Sequence, residues 1–397
     1  MLGAIYTGLS GMRAFSKGLQ TISNNVANLN SPGFKVTSTS FSDVFSYGGG
    51  GLTFFSGNDS TKTGNGVSFD KARVDFGQGD LRTSAGDLDL AIQGSGFLVL
   101  LKDNQTVYTR TGQFVVDKDG NISQSGSDYK LGVLDGSGRV VPLNIDTKRT
   151  SAPTATTAIK FADNLSSSAT TATIADLAVF DSKGGKQTWQ AKFDKVTDKV
   201  GEWTVTVTDQ AGATVGTSTL KFAGSAVDPS TNKLTFKSAP ADADPLSVVL
   251  DFSAGVTSFS AGTTSTLRSA SVDGNGVGAL TTVTLTDTGQ IRLTYSNTKT
   301  QDLGAVALAD FRDPQQLRRL SGGLFENAGS GPVRVLASNT DGVGRLLSKQ
   351  TEASNVDLSQ QFGDLILIQR GFQASSQVVS ISNDMIQQLF GIRGQGA

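Results

Sequence analysis

The stretch Asp117-Lys118-Asp119-Gly120-Asn121 opens like a calcium loop, with oxygen-bearing side chains at alternate positions around a tight turn. Such a loop needs glycine at its sixth position to turn sharply, but Ile122 stands there and Gly120 comes two residues early. A turn between two strands is the better reading. Asp273-Gly274-Asn275-Gly276-Val277-Gly278 carries the glycines of a phosphate loop. No lysine and no helical pattern follow it, so it too reads as a turn. Asp87 with Asp89 and Asp242 with Asp244 are near pairs of carboxylates. Acid–base work requires one carboxyl with a raised pKa, and no neighbouring residue suggests that. The chain contains no histidine and no cysteine. Imidazole and thiolate metal sites, disulfides, and Ser-His or Cys-His nucleophile pairs are therefore excluded. The expectation is a protein that is not an enzyme and holds no cofactor or metal.

Composition narrows the partners. The 34 Lys+Arg nearly cancel the 35 Asp+Glu, so no basic field exists to hold nucleic acid. A length of 397 residues allows two or three domains with real cores. Without cysteine the fold ignores the redox state of its compartment. The first charge is Arg13, and Gly3, Gly8 and Gly11 interrupt any apolar leader, so export without a cleaved signal peptide is expected. The run Phe97-Leu98-Val99-Leu100-Leu101 is far short of a membrane span, and no direct membrane insertion is expected.

The elements that would position working residues lie at the two ends. Leu2, Ile5, Leu9, Met12, Phe15, Leu19, Ile22, Val26 and Leu29 follow one another at steps of three or four. Leu358, Phe362, Leu365, Phe372, Val379, Ile386 and Leu389 recur at steps of three, four or seven. Each set puts an apolar stripe on one helix. The first helix is expected over residues 1–30 and ends at Ser31-Pro32-Gly33, because proline disfavours the α region before it. Gly3, Gly8, Gly11 and Gly18 each cost that helix about 1 kcal/mol against alanine. They imply a helix that forms only when packed, with backbones approaching closely. Asn24, Asn25 and Asn28 are costly on a buried helix unless paired, and they could fix register. The second helix is expected to start near Asn355 to Leu358, with Asp357 and Gln360 at capping-box spacing. Ile366, Ile368, Val378, Ile381, Met385 and Ile392 widen its stripe. A helix apolar over much of its girth needs several neighbours, which points to a homopolymer of many copies. The two helices are expected to pair antiparallel, in a coiled-coil-like manner.

Between them the pattern is mainly β. Residues 31–70 read as an extended arm docked by Phe34, Phe41, Phe45, Phe54 and Phe55, with four glycines at 48–51. Residues 71–145 with 270–355 read as an inner β domain. It includes strands 107–110 and 113–116 about Thr111-Gly112, and a short helix near Leu303–Asp310. Residues 146–269 read as an outer antiparallel barrel or sandwich. Its six strands are Leu177–Phe180, Thr188–Phe193, Trp203–Val207, Ser218–Phe222, Leu234–Phe236 and Leu246–Phe252. Residues 1–30 and 356–397 would form the helical domain.

Four motifs carry a resemblance. Residues Ser23 to Lys35 (with Asn24, Asn25, Asn28, Gly33 and Phe34), Ala91 to Val99, Tyr108 to Phe114, and Ser354 to Leu358 followed by Gln369-Arg370-Gly371-Phe372 are similar to signatures of the bacterial flagellar axial proteins. That family comprises rod, hook and hook-associated proteins. Asn355 and Asp357 belong to the last motif. The length and the β insertion resemble the hook branch of the family. Asn30-Ser31-Pro32, where threonine is common, and the glycine run depart from its pattern. The resemblance implies a self-assembling flexible tube of identical subunits. Terminal helices would line a channel, and torque would pass along the tube as through a universal joint. It implies a distal rod, a hook cap, hook-filament junction proteins and the flagellar type III export apparatus as partners, at an extracellular location. A distal rod or junction protein remains a sibling reading. A surface adhesin or glycan-binding β protein is the alternative of another class.

Overall fold

The computed structural model describes residues 2–45, 64–70, 72–103, 105–239 and 243–394. The glycine run 48–51, Phe54 and Phe55 lie outside them. The chain divides into two compact units. The first comprises Met1–Asp146, Thr284–Arg292 and Asp302–Ala397; the second comprises Thr147–Val283 and Leu293–Gln301.

The first unit holds both long helices, α1 (Leu2–Ala27) and α2 (Leu358–Gly394). Helix α1 gives way to turns over 28–30, short of the expected 30 residues, and Gly33 takes φ +68°, a conformation glycine adopts without strain. Helix α2 begins as its sequence suggests. The Asp357 carboxylate accepts from the N–H groups of Ser359 (2.8 Å) and Gln360 (3.2 Å), satisfying donors the helix leaves free.

The same unit carries a twelve-stranded sheet, whose central run includes Leu324–Asn327, Gln105–Thr109, Phe97–Lys102, Lys130–Leu134 and Ile122–Gln124. Leu90, Ile92, Leu98 and Leu100 are fully buried on it. Phe97 meets Phe76, Phe311 and Phe325 edge to face at ring separations of 5.6–5.8 Å.

Two expectations fail here. The strands Gln105–Thr109 and Thr111–Val116 do not pair about Thr111-Gly112. The first lies between Phe97–Lys102 and Leu324–Asn327, the second between Ile122–Gln124 and Asp89–Gln93. They part at Arg110, whose buried side chain turns away to an ion pair. The expected helix near Leu303–Asp310 is instead the strands Thr300–Ala305 and Leu308–Asp310. Val306, Ala307, Leu308 and Ala309 are all fully buried, and a continuous apolar run has no period that separates helix from strand. The Asp119-Gly120 turn does join strands, with Gly120 at φ +77°. Its Asp117 carboxylate is occupied by the Asn121 N–H and the Ser123 hydroxyl, at 2.8 and 2.9 Å.

The second unit is a ten-stranded sheet over a core of its own. Strand Glu202–Thr208 alternates strictly, turning Trp203, Val205 and Val207 inward. Trp189 is fully buried, and Phe161 stacks on Phe252 at 4.6 Å. Five of the six expected strands are present within longer ones, and the sixth runs Leu246–Asp251, with Phe252 just beyond its end. The sheet is not purely antiparallel. Ala158–Asn164 pairs parallel with Leu246–Asp251 and Val256–Thr257. That strand lies in a Ser/Thr/Ala-rich stretch, where only Ile159 and Phe161 mark its inward face. Asp273 in the glycine-rich turn accepts from the N–H groups of Thr157 (2.9 Å) and Ala158 (3.0 Å), which is turn chemistry.

Candidate assembly surface and the joint beneath it

Helix α1 meets α2 along its small residues. A side chain at Gly8 would come within 2.7 Å of Val379 Cγ2 and 3.0 Å of the Ser375 carbonyl. At Gly11 it would meet Ser375 Oγ at 2.5 Å, and at Gly18 it would meet Ile368 Cδ1 at 2.8 Å. In return, a side chain at Gly371 of α2 would come within 2.6 Å of the Phe15 ring. Residues further along α1 thus meet residues earlier in α2. Ala14, Ile22 and Asn25 continue the buried line of α1; Gln361, Ile368 and Ser382 continue that of α2. The glycines that weaken an isolated helix are the positions that let these two approach.

This seam uses little of the expected apolar stripe. On α1, Ile22 is buried within the subunit, a correction to its expected place on the assembly face. Ile5, Met12, Val26 and Leu29 are half-buried, while Leu9 and Leu19 are exposed. Leu2 lies outside the residues whose side chains are described. On α2, Leu365, Val379 and Ile386 are half-buried, and Phe372 and Leu389 are exposed. Phe362, Ile366, Leu367, Val378, Ile381, Met385 and Phe390 are also open, Leu367 at 67% and Phe390 at 70%. Ile381 and Met385 are one turn apart on the same flank. So large an apolar surface on one element marks an interaction face. Among the described residues no helix is long and apolar enough to cross a membrane.

Of the three asparagines, only Asn25 is buried. Its amide donates to Gln361 Oε1 (2.8 Å) and the Thr37 carbonyl (2.9 Å), and its Oδ1 accepts from the Thr37 N–H (3.1 Å). It therefore ties α1, α2 and the segment between α1 and the sheet together. Asn24 is exposed, and Asn28 caps the helix end by donating to the Asn24 carbonyl at 2.9 Å. Asn25→Ala leaves three partners unsatisfied and should destabilise the protein by about 2–4 kcal/mol, whereas Asn24→Ala should change it by less than ~0.5 kcal/mol. Chemical denaturation of the two variants checks this.

The segment after α1 is fixed by residues of the remaining motifs. Phe34 is buried under the Arg319 guanidinium, 4.1 Å above its ring. The Gly33 N–H donates to the Glu352 carbonyl at 2.7 Å. Asn355 Oδ1 accepts from the Val36 N–H at 2.7 Å, and its amide donates to the carbonyls of Asp75 (2.9 Å) and Gly77 (3.0 Å). Gln369 and Arg370 are exposed on α2. Among the described residues of the expected arm, Phe41–Phe45 and Gly64–Phe69 form an antiparallel ribbon beside α1. There Phe41 meets Phe15 and Phe69 at 5.4 and 6.0 Å, and Ser10 Oγ accepts from the Val67 N–H at 3.1 Å.

Sequence reasoning missed a buried ion group. Glu352 Oε1 lies 2.5 Å from Lys35 Nζ, and Glu352 Oε2 lies 3.1 Å from Arg110 Nε, with all three side chains almost wholly buried. Burial pushes the Lys35 ammonium below its usual value, against the pull of Glu352. The signal available was the type of residue alone: single charges inside apolar motifs, Lys35 after Phe34 and Arg110 after Tyr108-Thr109.

Two long helices, packed on each other by glycine and still apolar outside, frame a β body, the architecture of a structural subunit. Three family models match: "Flagella basal body rod protein" over residues 5–35, "Flagellar hook protein FlgE/F/G D1 domain" over 91–163 and "Flagellar basal body rod FlgEFG protein C-terminal" over 348–392. The chain is 30% identical to the flagellar hook protein FlgE of Brucella suis biovar 1, with 99% of each chain covered. It is 27% identical to that of Treponema pallidum (99% and 100% covered) and 28% to that of Escherichia coli K12 (97% and 98%). The Helicobacter pylori flagellar hook protein FlgE2 shares the fold at a TM-score of 0.50 and 14% identity, covering 68% of this chain and 100% of that one. The chain belongs to the flagellar hook protein family, and is a structural subunit of the bacterial flagellar hook. The family is one of polymeric assemblies in the flagellar basal body and hook.

Proposed function

We propose that this subunit is a passive mechanical part: a flexible coupling that passes motor torque to a filament and encloses an export channel. The observation that supports it is the apolar surface left on α2, and at Leu9 and Leu19 of α1, after the helices have packed on each other. In this reading the helices act as an antiparallel, coiled-coil-like pair (residues 1–30 with 356–397), and their outward residues bind further copies. Burying each such leucine or isoleucine contributes roughly 1.5–3 kcal/mol, so stripes shared among neighbours hold a polymer. Residues 31–70 connect, 71–145 with 270–355 form the inner wall, and 146–269 form a barrel-like outer domain. Its Ser/Thr surface makes wet contacts that slide as the tube bends. Its partners are the distal rod, the hook cap, the junction proteins and the type III export apparatus, and its own place is extracellular.

Deletion of residues 1–29 tests this. The β units should remain folded and monomeric, and tube formation should stop. A truncated chain that still polymerises, seen by electron microscopy, refutes cohesion through the helices.

A further inference from the structure

The three matched stretches 5–35, 91–163 and 348–392 each contribute one residue to a single buried ion group: Lys35, Arg110 and Glu352. Lys35 follows the end of α1 by eight residues, and Glu352 precedes the start of α2 by six. Both helices are therefore tethered, over short spans, to one carboxylate.

The three members are not held equally. Arg110 is fixed by the β body alone. Its guanidinium donates to the carbonyls of Gly96 (2.6 Å) and Gly94 (2.7 Å) before any counterion is considered. Glu352 also needs only the body. Its strand Gln350–Glu352 pairs with Leu81–Thr83, its N–H donates to Thr111 Oγ1 at 3.1 Å, and its carboxylate accepts from Arg110 and from the Gly79 N–H at 2.9 Å. Lys35 differs. Without Glu352 its buried ammonium keeps only the Gly77 carbonyl at 2.7 Å. The backbone around it is shared: Gly33 donates to the Glu352 carbonyl and Val36 to Asn355, while the body supplies the Asp75 N–H to the Val36 carbonyl at 2.9 Å and Arg319 to the Lys35 carbonyl, so the ammonium is what makes the dependence on Glu352 steep.

We infer that Glu352 makes docking one-way: the segment after α1 seats on the body only once the segment before α2 is in place, whereas the converse does not hold. An isolated buried charge is strongly disfavoured, so the body with Lys35 but without Glu352 excludes the docked state. The body with Glu352 but without Lys35 leaves the carboxylate paired with Arg110. The consequence is that α1 is positioned for its partners only on a chain whose C-terminal segment has already bound. This depends on the ion group and not on the polymer reading, because it is read on the unassembled chain.

Amide hydrogen exchange of the dilute full-length protein tests it. Glu352→Gln should raise exchange at Gly33 and Val36 by about 100-fold or more, with Leu98 and Leu100 still protected. Lys35→Met should leave Ala353, which donates to the Asp80 carbonyl, within about threefold of the parent. Combining Lys35→Met with Glu352→Gln should restore Val36 to within about tenfold, because no ammonium is then left unpaired. Unchanged protection of Val36 in Glu352→Gln overturns the inference. So does release of Ala353 in Lys35→Met as large as that of Val36 in Glu352→Gln. Should Glu352→Gln also release Leu98 and Leu100, Ala353 in the Lys35→Met variant decides: held, the one-way order stands; released, it falls.

Discussion

Ile381→Asp combined with Met385→Asp raises the concentration needed for polymerisation by about 10²–10⁴-fold, and leaves the thermal midpoint of the monomer unchanged. Both side chains are half exposed on one flank of α2 and neither belongs to the buried line through Gln361, Ile368 and Ser382. Within the subunit they have little to lose, and exposed substitutions of this kind change stability by less than ~0.5 kcal/mol. Within the polymer each forfeits roughly 1.5–3 kcal/mol of apolar burial, and the aspartate must be desolvated as well. Two such losses give the stated range, at ~1.4 kcal/mol per decade. Val115→Asp is the control: it removes a residue equally open but on the twelve-stranded sheet, and should shift the threshold by less than about tenfold. Sedimentation across a concentration series reads all three. If the α2 double variant assembles at the parental threshold, its flank is not an interface.

The periodicity of the two ends was legible because helix spacing and strand alternation leave different marks on an apolar pattern. Trp203, Val205 and Val207 announced an inward face, and Asp357 with Gln360 announced a helix start. The stripe itself was read with the wrong orientation in part. Spacing alone assigns leucine and isoleucine to the contact between subunits, and the glycines imply close backbone approach without saying to which neighbour. Yet the intramolecular seam takes Gly8, Gly11, Ala14 and Gly18, and Ile22 with them. Hydrophobicity scales rank side chains by transfer, while helix contact also rewards backbone proximity, which only small residues permit. The strand Leu308–Asp310 was misread because a fully buried run has no polar face to reveal its period. The Lys35–Glu352–Arg110 group was invisible for a different reason. Its members are 317 and 242 residues apart in pairs, and nothing local in a sequence states which distant charge will neutralise which.

Gly8→Leu with Gly11→Leu separates the two ways in which glycine affects α1. Leucine is close to alanine in helix propensity, so each substitution favours the isolated helix by almost 1 kcal/mol. If α1 were limited by its own helicity, the double variant would be better ordered and would assemble more readily. Contact predicts the opposite. Even a Cβ at position 8 would lie 2.7 Å from Val379 Cγ2 and 3.0 Å from a carbonyl of α2, and at position 11 it would lie 2.5 Å from Ser375 Oγ. The Val379 side chain is stiff at χ1 and the carbonyl is backbone, so neither yields without moving the helix. Overpacking of this kind costs typically 1–3 kcal/mol per site. The pair should therefore lose about 2–6 kcal/mol of helix–helix packing, partly offset by the gain in propensity. Helix α1 should lose amide protection, and the assembly threshold should rise by at least about tenfold. Gly3→Leu is the informative companion, since nothing lies within 4 Å of a Cβ built there. That substitution carries the same propensity gain with no collision, and α1 should keep its protection. Were the double variant to match Gly3→Leu in protection and threshold, close approach would not be what these glycines are for.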